Sequence, residues 1–116
     1  MTRRVVVTGL GTVTALGESW EENRAGLLAR KNAVAQMPEW DIFSGLNTKL
    51  AAPIKNFTLP EHYTRKRIRS MGRVSLLSTR ATEYAIESAG LLEDEFLKSG
   101  RVGIAYGSCT GGTDPV

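Results

Sequence analysis

Two short apolar runs, each leading directly into glycine, limit most strongly how this chain of 116 residues can fold. Val5–Thr8 runs into Gly9, and Val102–Tyr106 runs into a turn rich in glycine. The first run does not alternate apolar with polar residues, which is typical of a strand buried on both faces of a sheet. The second run is predicted to form the second strand, over residues 102–106.

Two helices are predicted between these strands. Ser19 through Glu22 fit a capping box, which predicts a first helix from Ser19 to about Arg30. Trp20, Leu27 and Leu28 are expected to face inward along this helix. Apolar and small residues that recur at three- and four-residue spacing predict a long helix over about residues 69–89. Gly90 is a suitable residue to terminate it.

The region between the helices is irregular. Residues 32–62 contain Pro38, Gly45, Pro53 and Pro60, and no helical period persists through them. A loop region this long inside a domain is usually functional or docks on another surface.

The order strand, helix, helix, strand predicts the α/β class. Two short strands and two helices make a poor hydrophobic core. The end of the chain, Gly107–Gly112, is typical of the middle of a fold. We therefore interpret residues 1–116 as the N-terminal portion of a larger domain, incomplete in this chain.

Composition excludes several classes of protein. Apolar residues make up 41% and charged residues 23% of the chain, which is typical of a globular domain. The longest apolar run is about three residues, whereas a membrane-spanning helix needs about 20. The N-terminal stretch is not typical of a signal peptide. One cysteine cannot form an internal disulfide, which fits a reducing compartment and predicts the cytoplasm.

Cofactor and metal sites are not predicted. Gly9-Leu10-Gly11 after a strand suggests a dinucleotide fingerprint, but Thr14 occupies the position of the third glycine. No acidic residue follows at the expected spacing, so a sharp turn explains the glycines better. His62, the single histidine, lacks any metal-ligand spacing and is expected at the surface.

A basic segment lies before and within the predicted long helix. The chain has no acidic residue between Glu61 and Glu83. Such a segment either binds an anionic partner or forms a solvated face. Cations at a helix N-terminus oppose the helix dipole, and this unfavourable placement favours a binding role over a merely solvated face. Nucleic acid is disfavoured because Tyr63 is the only aromatic residue nearby for stacking. The cations in this stretch are Arg65, Lys66, Arg67, Arg69, Arg73 and Arg80.

An ordered set of blocks gives the chain a family resemblance. The run from Val5 to Gly17, Trp20 with Leu27–Ala29, the stretch from Trp40 to Phe57, the basic residues 65–71, and the run from Arg101 to Gly112 occur in this order. Together they resemble the N-terminal part of a beta-ketoacyl-acyl-carrier-protein synthase of the ketosynthase II type.

The resemblance implies a fold and an activity. The fold would be the thiolase-like αβαβα fold, assembled as a homodimer. The activity would be decarboxylative condensation of an acyl thioester with malonyl-acyl carrier protein, without a cofactor. The family's nucleophilic Cys, its two catalytic His and its Lys would all lie beyond Val116, so no catalytic residue is expected in this chain.

The resemblance also implies roles for residues that are present. Thr110 and Cys109 would line the acyl pocket, with Thr110 at a position where the family often has a bulky apolar gate. Cys109 precedes Thr-Gly-Gly and superficially resembles the nucleophile motif, but residues 101–108 match the family's second strand rather than the strand that carries the nucleophile.

Lys66 and Arg69 match the positions at which the family docks acyl carrier protein. Ser70 departs from the family pattern, because a second basic residue is common there. Arg65 and Arg67 would add to the docking face, and Arg67 could substitute for the missing base. Three alternatives stay open: a chain-length-factor subunit that lacks the nucleophile and pairs with a ketosynthase, a polyketide ketosynthase, or a complete binding domain.

Overall fold

The computed structural model describes residues 2–109 and 111–112. Within them, α-helices and short strands alternate with long extended segments. The elements are α1 (Trp20–Leu28), β1 (Ala35–Gln36), a 3₁₀ helix (Pro38–Ile42), β2 (Leu50–Ala51), α2 (Arg65–Ile68), α3 (Arg73–Ser88) and a second 3₁₀ helix (Glu95–Lys98).

Helix α1 begins at the cap that the sequence predicts. The Ser19 hydroxyl accepts a hydrogen bond from the backbone N–H of Glu22 at 3.1 Å. The Glu22 carboxylate accepts from the N–H of Glu18 at 2.8 Å, one residue before the usual partner in a capping box. The helix ends at Leu28 rather than near Arg30, because Arg30 adopts a left-handed conformation with φ of 53°.

The expected inward face of α1 is wrong for the described residues. Trp20, Leu27 and Leu28 are 43%, 63% and 68% exposed. The residues that α1 buries are Asn23 and Gly26. The helix therefore contacts the rest of the described chain through a small polar side chain and a glycine, and its large apolar side chains have no surface to cover them.

Helix α3 is shorter at its start than the sequence predicts. It begins at Arg73, and the residues before it form the separate single-turn helix α2. Gly72 caps α3 in an extended conformation. At the other end Gly90 has φ of 71° and donates to the Glu87 carbonyl at 2.9 Å. Glycine thus ends α3 at the predicted position, in the left-handed conformation that glycine favours.

The irregular region contains one small antiparallel sheet. Ala35 pairs with Ala51, and Gln36 pairs with Leu50. A further backbone hydrogen bond extends the pair, from Met37 N–H to the Lys49 carbonyl at 2.8 Å. The rest of residues 32–62 has no regular structure beyond the first 3₁₀ helix.

The two strands predicted at Val5–Thr8 and at 102–106 are not paired in the described residues. Val5 is 95% exposed and Val7 is 80% exposed, so the expected burial of the first run on both faces is wrong here. The physical reason is that a strand needs a hydrogen-bonded neighbour, and the described chain supplies none to either segment.

Both extended segments, residues 5–11 and residues 102–106, lie instead against helix α3. A Cβ atom built on Gly11 would overlap the Ala81 carbonyl and lie 2.5 Å from the Ala85 nitrogen. On the other segment, the Tyr106 hydroxyl donates to the Ser78 carbonyl at 2.6 Å. Small residues on α3 therefore allow close approach by the chain, as their sequence pattern indicates.

The described residues contain no buried hydrophobic side chain. The radius of gyration is 17.5 Å, compared with about 13 Å for a compact chain of about this length. Apolar surface is left uncovered on α1, on the first 3₁₀ helix and on both extended segments. These elements therefore hold together by local hydrogen bonds and by close packing on α3 rather than by a hydrophobic core.

Candidate functional site

The turn after the second extended segment places Cys109 in the open. Its thiol is free and exposed. The Ser108 hydroxyl accepts from the Gly111 N–H at 2.9 Å, and Gly111 has φ of 68°. A Cβ atom on Gly112 would lie 3.9 Å from the Gly72 Cα, so the turn approaches the start of α3. Thr110 lies outside the described residues.

No catalytic partner reaches Cys109 in the part of the chain that the structure describes. The imidazole of His62 is hydrogen-bonded elsewhere, to Glu83. Activation of a thiol needs an adjacent base, a cation or a helix N-terminus that lowers its pKa. The structure therefore gives Cys109 no base, and its exclusion as the nucleophile stays a prediction.

The basic segment forms an exposed cationic surface. Arg65, Lys66 and Arg67 lie on α2, and Arg69 is its C-cap. All four side chains are exposed. Among the described residues, none of the salt bridges involves any of them. We call these four residues the basic surface; their charge is available to an anionic partner.

A polar cluster lies beside the basic surface and centres on Glu83. One Glu83 carboxylate oxygen, Oε1, contacts His62 Nε2 at 2.8 Å, and the other, Oε2, accepts from Arg80 at 2.8 Å. The Arg80 guanidinium also lies 4.1 Å from the centre of the Tyr84 ring. Burial alone would raise the pKa of Glu83, but the hydrogen bonds from His62 and Arg80 hold it below its ordinary value.

Tyr63 completes this cluster. Its ring meets the His62 ring edge-on, with centroids 4.9 Å apart. Its hydroxyl is buried without a hydrogen-bond partner in the described chain. Burial, followed by the negative charge of Glu83, raises the pKa of Tyr63 to about 12. No pattern in the sequence predicts this cluster, because residues 62 and 83 come together only when the turn at residues 60–63 packs against α3.

A second polar site missed by the sequence is the buried amide of Asn23. Its Nδ2 donates to the Thr12 hydroxyl at 2.7 Å and to the Ser19 carbonyl at 2.7 Å. Its Oδ1 accepts from the Thr14 hydroxyl. Buried polar groups are tolerated when they are hydrogen-bonded in this way. Asn23 therefore fixes the turn between the first extended segment and α1.

Comparison with known proteins identifies the family. The family model described as "Beta-ketoacyl synthase, N-terminal domain" matches residues 2–115. The chain belongs to the beta-ketoacyl synthase family. A crystal structure of a beta-ketoacyl synthase from Burkholderia phymatum STM815 superposes on this chain with a TM-score of 0.84 at 52% identity. The superposition covers 92% of this chain and 26% of that structure, so the fold is the thiolase-like fold, represented here by its N-terminal domain.

Curated relatives are similar to this chain over most of its length. A 3-oxoacyl-[acyl-carrier-protein] synthase 1 from Haemophilus influenzae is 35% identical over 94% of this chain and 26% of its own length. Nodulation protein E from Rhizobium sp. strain N33 is 39% identical over 82% of this chain and 23% of its own length. The chain therefore spans about a quarter of the length of these relatives.

Within the described residues, no helix combines the length and apolar character needed to cross a bilayer. The same residues contain no group of three or more metal-ligating side chains that could hold a metal ion.

Proposed function

We propose that the protein containing this chain elongates acyl chains by decarboxylative condensation. An acyl group forms a thioester with an enzyme cysteine, and malonyl-acyl carrier protein then loses CO₂. The resulting carbanion attacks the acyl carbonyl, a carbon–carbon bond forms, and the cysteine leaves as thiolate. The observation that carries this proposal is the family match over residues 2–115, together with 52% identity to a solved beta-ketoacyl synthase.

In this proposal the catalytic Cys, His and Lys residues lie outside residues 1–116. This segment supplies helix α3 and its packing partners, a wall of the acyl pocket at Cys109 and Thr110, and the basic surface. The full protein acts as a homodimer in the cytoplasm, whose reducing conditions suit a free and exposed thiol.

The experiment for this function is a condensation assay on the full-length protein, with acyl- and malonyl-acyl carrier protein as substrates. The expected products are 3-oxoacyl-acyl carrier protein and CO₂, measured by mass spectrometry. The alternative outcome is a protein that forms no product alone but allows a separate ketosynthase subunit to form it. Such a protein is a chain-length factor, and the proposal of condensing activity is then wrong.

We propose that the basic surface docks acyl carrier protein, and a double charge reversal tests this. Lys66→Glu with Arg69→Glu is expected to raise KM for carrier-bound substrate about ten-fold, because each exposed pair contributes about 0.2–1 kcal/mol. The effect should shrink at high salt, since the Debye length is about 8 Å at physiological ionic strength. Steady-state kinetics with carrier-bound substrate and with a small thioester, at two salt concentrations, measure it.

Arg24→Glu with Lys31→Glu is the matched control for charge, because both side chains are exposed outside the basic surface and neither forms a salt bridge among the described residues. It is expected to leave KM for carrier-bound substrate near the wild-type value. Equal losses with the carrier-bound and the small thioester would show instead that Lys66 and Arg69 support the fold.

Thr110 is proposed to line the acyl pocket. Thr110→Phe is expected to shift chain-length preference toward shorter acyl groups, because a larger side chain fills space that the acyl chain needs. Product profiles over a series of acyl-carrier substrates measure the shift. A profile identical to that of the wild type would mean that Thr110 only packs in the turn.

A further inference from the structure

We infer that Glu83 is a positioning residue that fixes the orientation of the basic surface, acting through His62. The inference rests on the proposed docking of acyl carrier protein and extends it to residues outside the basic surface. It follows from three features of the described chain. Helix α2 has weak local support, the carboxylate of Glu83 is fixed by Arg80, and His62 links that carboxylate to the turn that precedes α2.

Helix α2 has little support of its own. It has four residues, and its N-cap, Thr64, makes no side-chain hydrogen bond to the helix. Ile68 is the only residue of α2 that is not exposed. The orientation of α2 must therefore come from the residues that flank it.

The flanks of α2 connect to α3 in two ways. After α2, residues 69–72 lead directly into α3, whose first residue, Arg73, donates from its guanidinium to the Ile54 carbonyl. Before α2, the Tyr63 N–H donates to the Pro60 carbonyl at 2.9 Å and closes a turn. His62 lies in that turn and contacts Glu83 on α3 at 2.8 Å. This contact is a side-chain hydrogen bond that ties the turn to α3.

Glu83 is held in place before it contacts His62. Its second carboxylate oxygen accepts from Arg80, one helical turn earlier on α3, and Arg80 also packs over the Tyr84 ring. An acceptor fixed in this way loses little conformational freedom when it binds His62. The carboxylate also balances the charge of Arg80.

The consequence concerns carrier recognition rather than chemistry. Charge complementarity acts mainly on encounter rate and on orientation, so the direction in which Lys66 and Arg69 point matters. Loss of the contact between His62 and Glu83 releases the turn before α2. The basic surface then keeps its charge but loses its fixed orientation toward the partner.

The test compares alanine and amide variants in the full-length enzyme. Glu83→Ala and His62→Ala are expected to raise KM for malonyl-acyl carrier protein about five-fold, with unchanged kcat, because each removes a hydrogen bond to a charged group. His62→Gln and Glu83→Gln are expected to recover most of the wild-type KM, since an amide can still bridge the turn and α3. KM for malonyl-CoA, which lacks the carrier protein, is expected to stay the same in all four variants.

Two kinetic outcomes would overturn the inference. One is an equal loss with carrier-bound substrate and with malonyl-CoA, which would make the cluster a support of the fold alone. The other is a Glu83→Gln variant that binds the carrier more tightly than the wild type, which would mean that the Glu83 charge repels the carrier. Because the His62 side chain is 53% exposed, His62→Ala is expected to fold even where Glu83→Ala does not.

Direct binding separates this inference from the proposed function. The dissociation constant of acyl carrier protein is measured by surface plasmon resonance on the wild type and the four variants. A wild type that binds the carrier without condensing substrates would overturn the proposed function, and a five-fold weaker His62→Ala would still support the inference. A wild type that does not bind the carrier overturns the inference, whatever its activity.

Discussion

Residues 1–116 prepared alone are expected to show no cooperative thermal unfolding transition. Folding must offset a conformational entropy cost of about 1–2 kcal/mol per residue, mainly by burying apolar surface. The described residues bury no hydrophobic side chain, and valines and isoleucines on both extended segments are exposed. Hydrogen bonds within helices do not replace the free energy of apolar burial, because each contributes only about 1 kcal/mol net.

Circular dichroism and calorimetry on the purified 116-residue chain measure this prediction. A gradual loss of helix signal without a heat-absorption peak is expected. The full-length protein is the control and should unfold cooperatively under the same conditions. A sharp transition of the short chain, coincident by both methods, would show that these residues form a hydrophobic core that the structure lacks.

Gly11→Ala in the full-length protein is expected to cost about 3 kcal/mol of stability. The added methyl group would overlap the Ala81 carbonyl and approach the Ala85 nitrogen at 2.5 Å. Both atoms belong to the backbone of α3, which cannot move aside as a flexible side chain can, so the extended segment must shift. Chemical denaturation measures the loss of stability as a lower midpoint denaturant concentration, with the dependence of the unfolding free energy on denaturant unchanged.

Gly26→Ala is the matched control for a glycine substitution. Gly26 lies inside α1, and its new Cβ would meet the Leu16 side chain at 3.5 Å, an ordinary contact distance. Alanine is favoured over glycine in a helix by about 1 kcal/mol. This variant should be as stable as the wild type or more so. A Gly11→Ala variant as stable as Gly26→Ala would contradict the close packing of the first segment on α3.

Local signals in the sequence predicted the start of α1 and the end of α3. The Ser19 hydroxyl and the left-handed Gly90 depend on residues within a few positions of each other, and the structure has both where the sequence places them. The predicted burial of Trp20 and of the first valine run depended on distant surfaces. Those side chains are exposed because the described residues include no neighbour that could cover them.

The functional residues also divide into those that a local sequence pattern predicts and those that depend on distant residues. The basic surface is visible as a run of cations in the sequence, and its exposure on α2 follows from that composition. The contact between His62 and Glu83 joins residues 21 positions apart, and no local pattern reports it. Asn23 was missed because a single polar residue on a helix is ordinarily expected at the surface.

The location of the acyl group in the acylated full-length enzyme tests the central proposal most directly. The protein is incubated with acyl-acyl carrier protein without malonyl substrate, digested, and mapped by peptide mass spectrometry. The proposal predicts one acyl thioester on a cysteine outside residues 1–116, and a Cys109→Ser variant that is acylated to the same extent. An acyl group on Cys109, or loss of acylation in a folded Cys109→Ser variant, would contradict it.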